Sequence, residues 1–273
     1  PPLTLEGIIE YSHRLATLVS GLVLVALLLL VALERRSVFA RWETRIVAGL
    51  LVGTLVLQSA LGAWAVLAPR YPPVMAVHFG VSLTVFASAL LLALILTRGE
   101  SLRERRRVAL PASVSWASWG LLVGTYAVVY LGAYVRHANA SLACLDWPLC
   151  QGKLVPDLAG PTGIVFLHRS SALLLTLALT SLVVRLWRDG ALRRARPDIV
   201  RSGTLALLLL LAQSATGAWV VFSRMSLGSI LAHAAVVTLL FGVLSVLAYQ
   251  ALPVRVGTVR RSAAVAEAVQ VSR

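Results

Sequence analysis

Gln58-Ser59-Ala60-Leu61-Gly62-Ala63-Trp64-Ala65-Val66 returns as Gln213-Ser214-Ala215-Thr216-Gly217-Ala218-Trp219-Val220-Val221, with seven of nine positions identical at an offset of 155 residues. The same offset carries His13-Arg14 onto His168-Arg169 and His78 onto His233, with no gap between positions 13 and 78. Elsewhere the two segments share mostly generic apolar sequence. Identity concentrated on polar and aromatic markers is what duplication leaves when drift is free everywhere except at a site.

Both copies lie inside long apolar runs. The chain is 59% hydrophobic and 13% charged, with a mean hydropathy of +0.85, well outside the range of soluble domains. Apolar runs of 20 or more residues can each cross about 30 Å of hydrocarbon as a helix. Lipid offers the backbone no partner, and the runs are too long and too uniform for barrel strands. The expected fold is therefore all-α and integral to the membrane, with seven spans at 8–33, 46–68, 74–97, 112–135, 163–186, 202–223 and 227–250.

The net charge of +14 sorts by side of the membrane. Four Arg fall in 34–45, five in 98–107, six in 185–201 and four in 251–273, against Arg70, Arg136, Lys153 and Arg224 opposite. Arg-rich loops face the cytoplasm, so the basic residues are read as topology signals, with no nucleic-acid partner. The first span then runs from outside to inside. That orientation raises the expectation of a preceding span, giving eight in the full protein. Residues 1–97 read as a first half lacking its first span, 98–111 as a cytoplasmic loop, 112–250 as a complete four-helix half, and 251–273 as a cytoplasmic tail. A repeat offset of four spans makes the halves parallel, related by an axis along the membrane normal.

An ionisable side chain within a span is a functional hypothesis by default. Four of the five His lie in spans: His13, His78, His168 and His233. They form two pairs, each separated by 65 residues, each on the first and third helices of a three-helix module and near the outer ends. Two imidazoles at equal depth can clamp one iron from both faces, and helix bundles build cofactor sites this way. A bare zinc site would need more ligands than two His. Arg14 and Arg169 follow a His in each copy and suit haem propionates, or snorkel to the interface. Gln58 and Gln213 serve a macrocycle or join helices, and Trp64 and Trp219 fit an interfacial belt. Gly49/Gly53 and Gly120/Gly124 have the spacing of helix-packing pairs.

One asymmetry stands out. Glu10, three residues before His13, shares its face, whereas Val165 takes its place in the second copy. A carboxylate kept in one copy suggests that one site does chemistry and the other holds a cofactor. Cys144 and Cys150 lie in the outer loop 136–162, in an oxidising compartment where a disulfide is favoured; two free thiols or a metal pair are the alternatives.

Glu10-Tyr11-Ser12-His13-Arg14, His78, Gly132-Ala133-Tyr134-Val135-Arg136 through Cys144-Leu145-Asp146-Trp147-Pro148-Leu149-Cys150, His168-Arg169 and His233 together resemble the haem A synthase family over nearly the whole chain. The resemblance implies eight spans in two four-helix halves. It implies an oxidoreductase that converts the C8 methyl of haem O to the formyl of haem A for the terminal oxidase, with water as the oxygen source. On that resemblance His168 and His233 would ligate a haem b. His13 and His78 would frame the substrate haem O, Glu10 would be the catalytic carboxylate, and Cys144–Cys150 would be a disulfide. The partners implied are haem O, the lipid membrane, haem O synthase and oxidase assembly factors, with a quinone or another carrier taking the electrons. The location implied is the inner or plasma membrane, with haem sites near the extracytoplasmic face. The main rival reading is a non-catalytic di-haem b-type electron carrier, which leaves the single Glu10 unexplained. A haem exporter is a second rival. A prenyltransferase would need Asp-rich magnesium motifs that the chain lacks.

Overall fold

With no water to bond the backbone, each apolar run closes its hydrogen bonds internally as a helix. The computed structural model describes residues 4–34, 36–67 and 71–253. The basic tail from 254 onward, Arg35 and Arg70 lie outside the described residues. The order of helices is α1 (Leu5–Glu34), α2 (Arg36–Phe39), α3 (Trp42–Leu67), α4 (Pro72–Arg106), α5 (Ala112–His137), α6 (Gly160–Arg188), α7 (Gly190–Ala195), α8 (Pro197–Phe222) and α9 (Leu227–Gln250). Seven of them, all but α2 and α7, are long and apolar enough to cross a membrane, at the seven places expected.

The ends differ from the hydropathy reading in one respect. The segment 98–107 continues α4 as helix through Arg106, past non-helical φ/ψ at Arg98 (φ −131°, ψ 15°). Arg and Glu are good helix formers, so the helix persists after its apolar stretch ends. Prolines mark several helix starts: α4, α6 and α8 all carry Pro in the first turn, where the missing N–H costs nothing. Asp189 caps α7 by accepting from the Leu192 N–H at 2.9 Å.

Helices α5, α6, α8 and α9 pack around one apolar core that runs from Val114 and Leu121 through Leu179 and Leu186 to Ile199, Leu210, Leu240 and Leu247. Helix α4 lies on α3, α5 and α9. At that central seam Leu83 and Ala87 meet Val129, Val237 and Phe241. Lipid is as apolar as leucine, so close packing and polar contacts hold such helices together, not expulsion of water. Close approach is visible here. A Cβ at Gly80 would sit 2.4 Å from the Tyr130 ring, and one at Gly242 would sit 2.9 Å from Phe86.

Of the two spacings read as packing motifs, one does not pack and the other packs at a single glycine. Gly49, Gly53 and Gly120 have nothing within 4 Å of a built Cβ, whereas Gly124 meets Leu175 at 3.0 Å. Helix α1 is largely exposed along its length, and only Leu24 and Leu28 reach a core cluster, the one formed by α3 and α4 with Tyr249.

Candidate functional site

The four His sit near the N-terminal ends of α1, α4, α6 and α9. His168 and His233 are close enough for their charges to interact, and so are His13 and His78. Each expected pair thus lies within electrostatic range, on α1 and α4 in one copy and on α6 and α9 in the other.

Their surroundings match at positions 155 residues apart. The Gln58 amide nitrogen lies 3.3 Å from Nε2 of His78, and the Gln213 amide nitrogen lies 3.0 Å from Nε2 of His233. A Cβ on Gly62 would stand 3.4 Å from Cε1 of His78, and one on Gly217 would stand 3.3 Å from Cε1 of His233. Each glutamine and glycine stand four residues apart on one helix face, so in both copies one helix face brings an amide to Nε2 and a glycine to Cε1 of the imidazole. The glutamines therefore join helices through the histidines.

His168 is tied differently. It lies beside the backbone of Val128 and against Gly132, where a Cβ would be 2.7 Å from its Cε1. Val128 and Gly132 form one face of α5. The Nδ1 atoms of His78 and His168 and the Oε1 atoms of Gln58 and Gln213 are buried without a hydrogen-bond partner. Buried polar atoms are normally paired, so these orphans mark polar sites built for something else. Among the described residues no group of three or more His, Cys, Asp or Glu could hold a bare metal ion. Histidines set beside glycines, with buried polar atoms left unpaired, are a donor set that could hold an iron porphyrin.

Glu10 and Arg14 form an exposed i,i+4 ion pair on α1. Arg169 reaches over the loop between α5 and α6 instead. Its guanidinium donates to the carbonyls of Asp146 at 2.8 Å, of Cys144 at 3.2 Å and of Leu149. Cys144 and Cys150 form a disulfide, and both are buried with Val135, Ala140 and Val165 beneath them. Gln151 and Gly152 take positive φ of 57° and 69°, turning the chain so that Lys153 N–H bonds back to Cys150 at 3.1 Å. The Asp146 carboxylate accepts from both turn amides at 2.8 Å. The Gly152 amide chiefly, then that of Gln151 and the charge of Arg169, hold the Asp146 carboxyl below its ordinary range.

Sequence reasoning missed a second polar layer at the opposite ends of the helices. Arg106 and Arg196, counted as topology signals, are only 2% and 1% exposed. Arg106 pairs with Glu43 through two contacts of 2.8 and 3.2 Å. Arg196 pairs with Asp198 at 2.9 and 3.1 Å and also donates to the carbonyls of Val108 and Gln250. Glu43 and Asp198 are 155 residues apart, so the repeat offset held the signal.

Comparison with known proteins places nearly the whole chain beside one family. A family model described as cytochrome oxidase assembly protein matches residues 4–245. A haem A synthase of Symbiobacterium thermophilum is 43% identical over 270 residues, covering 96% of this chain and 85% of that protein. A haem A synthase of Bacillus licheniformis is 37% identical, covering 89% of this chain and 79% of its own length. One of Geobacillus kaustophilus is 38% identical, covering 93% and 78%.

Proposed function

Because the chain belongs to the cytochrome oxidase assembly family of haem A synthases, we propose that its two histidine pairs divide the labour, His168 and His233 holding a resident haem b and His13 and His78 framing the substrate haem O. The protein is a multi-pass membrane oxidoreductase that makes haem A for cytochrome oxidase. A di-haem electron carrier is not favoured.

The observation that carries the division is the Gln–His–Gly arrangement present twice beside a carboxylate present once, at Glu10. The recurrence supports a duplicated haem site, with residues 1–97 as the substrate half and 112–250 as the haem b half. Segment 98–111 and the tail 251–273 would face the cytoplasm. The plasma membrane is the proposed location, with the haem sites towards its extracytoplasmic face.

Turning a methyl into a formyl group with water as the oxygen source releases four protons and four electrons, as the elements of the equation require. The bound haem b would supply one-electron chemistry, and a quinone or another carrier would accept the electrons. Glu10 would take protons from the reacting carbon or from water, as a positioned base. Arg14 and Arg169 are the cations proposed to face haem carboxylates, and Arg14 also holds Glu10 in place. Haem O synthase and oxidase assembly factors are the proposed partners for supply and delivery.

The test is absorbance of the purified full chain together with chromatography of extracted haems. His168→Ala or His233→Ala should remove the low-spin haem b signal. Glu10→Ala should keep that signal while haem A formation falls about 10²–10⁴-fold, the usual worth of a positioned base. Normal haem A from Glu10→Ala would refute the assignment.

A further inference from the structure

His233 is held at both ring nitrogens, whereas His78 is held at one. The Thr216 hydroxyl donates to the Gln213 backbone carbonyl at 3.0 Å. Its single proton is thereby committed, so its oxygen accepts from Nδ1–H of His233, also at 3.0 Å. The Gln213 amide donates to Nε2 at 3.0 Å, which requires a lone pair there. The two contacts are satisfied by the same tautomer: a proton on Nδ1, and on Nε2 an electron pair, here engaged by the Gln213 amide, that iron would take in its place.

The first copy breaks this pattern at one of the two positions where the nine-residue repeat diverges. Leu61 stands where Thr216 stands and is buried with Val74 and Val81. The His78 Nε2 still meets the Gln58 amide, at a longer 3.3 Å, but its Nδ1 is buried without a partner.

We propose that Thr216 is a positioning residue that locks His233 as a permanent axial ligand through Nε2, and that leucine at position 61 leaves His78 an exchangeable one. This rests on the ligand assignment given above. A hydrogen-bond acceptor on the far ring nitrogen fixes the orientation of a ligating histidine and raises its basicity, and losing such a partner costs about 10–100-fold in metal affinity. The difference suits the two tasks. A resident cofactor must stay, whereas a substrate haem must leave as product.

The experiment uses the purified full chain loaded with haem. It measures the rate of haem transfer to apomyoglobin and the midpoint potential of the low-spin haem. Thr216→Val keeps the shape and removes the hydroxyl. It should lose haem about 10–100-fold faster and shift the potential to more positive values, because a less basic imidazole stabilises ferric iron less. Thr216→Ser should restore both. Leu61→Thr should slow haem loss from the first site. An unchanged potential and rate in Thr216→Val would overturn the proposal, as would equal changes in the Val and Ser variants. An unchanged first-site rate in Leu61→Thr would overturn the part concerning His78. His233→Ala separates the levels: if it keeps the low-spin haem, the ligand assignment fails and the proposal with it. If it loses that haem while Thr216→Val behaves as wild type, only the proposal fails.

Discussion

Gly132 on α5 and His168 on α6 approach so closely that a β-carbon on the glycine would lie 2.7 Å from Cε1 of the imidazole and 3.3 Å from both of its nitrogens. The ring is therefore seated by backbone, and its orientation depends on the absence of a side chain at position 132. Gly62 and Gly217 play a looser version of the same part at 3.4 and 3.3 Å from their histidines.

Gly132→Ala should displace the His168 ring and deplete the low-spin haem in the purified protein, with the helical fold kept. Gly217→Ala, where a small shift suffices, should retain most of it. Absorbance of the reduced haem per mole of protein reads both. Equal haem content in the two variants would contradict the seating role of Gly132.

Gly80→Ala should destabilise the seam between α4 and α5. The new methyl would meet the Tyr130 ring at 2.4 Å. That ring cannot swing away cheaply, because its hydroxyl donates to Tyr126 at 3.0 Å and the two rings pack edge to face at 4.8 Å. Overpacking of this kind costs about 1–3 kcal/mol, set against about 1 kcal/mol gained in helix propensity. Gly49→Ala has open space around it and should be neutral or slightly stabilising. Thermal unfolding in detergent would show the contrast.

Glu43→Ala should be among the most damaging changes remote from the histidines. It leaves Arg106 buried with its charge uncompensated, and it removes the acceptor for the Tyr249 hydroxyl at 3.1 Å. Breaking a buried pair from one side costs about 3–5 kcal/mol. Asp198→Ala should do the same to Arg196. Glu100, exposed and paired with Arg41, should tolerate alanine with little change in stability. Yield and melting temperature should drop for Glu43→Ala and Asp198→Ala and stay near those of the parent protein for Glu100→Ala.

The Asp146 clasp on the disulfide loop should be indifferent to pH across the physiological range. Its carboxyl is held below the ordinary value of 3.8, first by the Gly152 amide. A depressed carboxyl contributes stability that is present above its unfolded pKa and lost as pH falls through the folded one. The loop should therefore stay closed from pH 8 to pH 5 and loosen only below about pH 4. Hydrogen exchange at Gln151 and Gly152 measures it. Asp146→Ala, which removes both acceptors, should expose both amides at every pH.

The number and place of the spans were legible in the chain, and so was the repeat on which the proposed histidine pairs and the single Glu10 rest. Hydrocarbon thickness sets helix length, and an ionisable group in an apolar run stands out against its neighbours. The identities of the contacts were not legible. The spans are apolar on every side, so hydropathy carries no information about how each helix is rotated. Arg106 and Arg196 looked like any other cytoplasmic arginine until packing placed Glu43 and Asp198 against them. The Gly49/Gly53 spacing looked like a packing motif, yet the close approaches fell to Gly80, Gly132 and Gly242. Thr216 differed from Leu61 by one letter in a conserved-looking repeat. Only the depth and rotation of α8 against α9 made that letter a hydrogen bond to His233, because such a bond exists within a few tenths of an ångström or not at all.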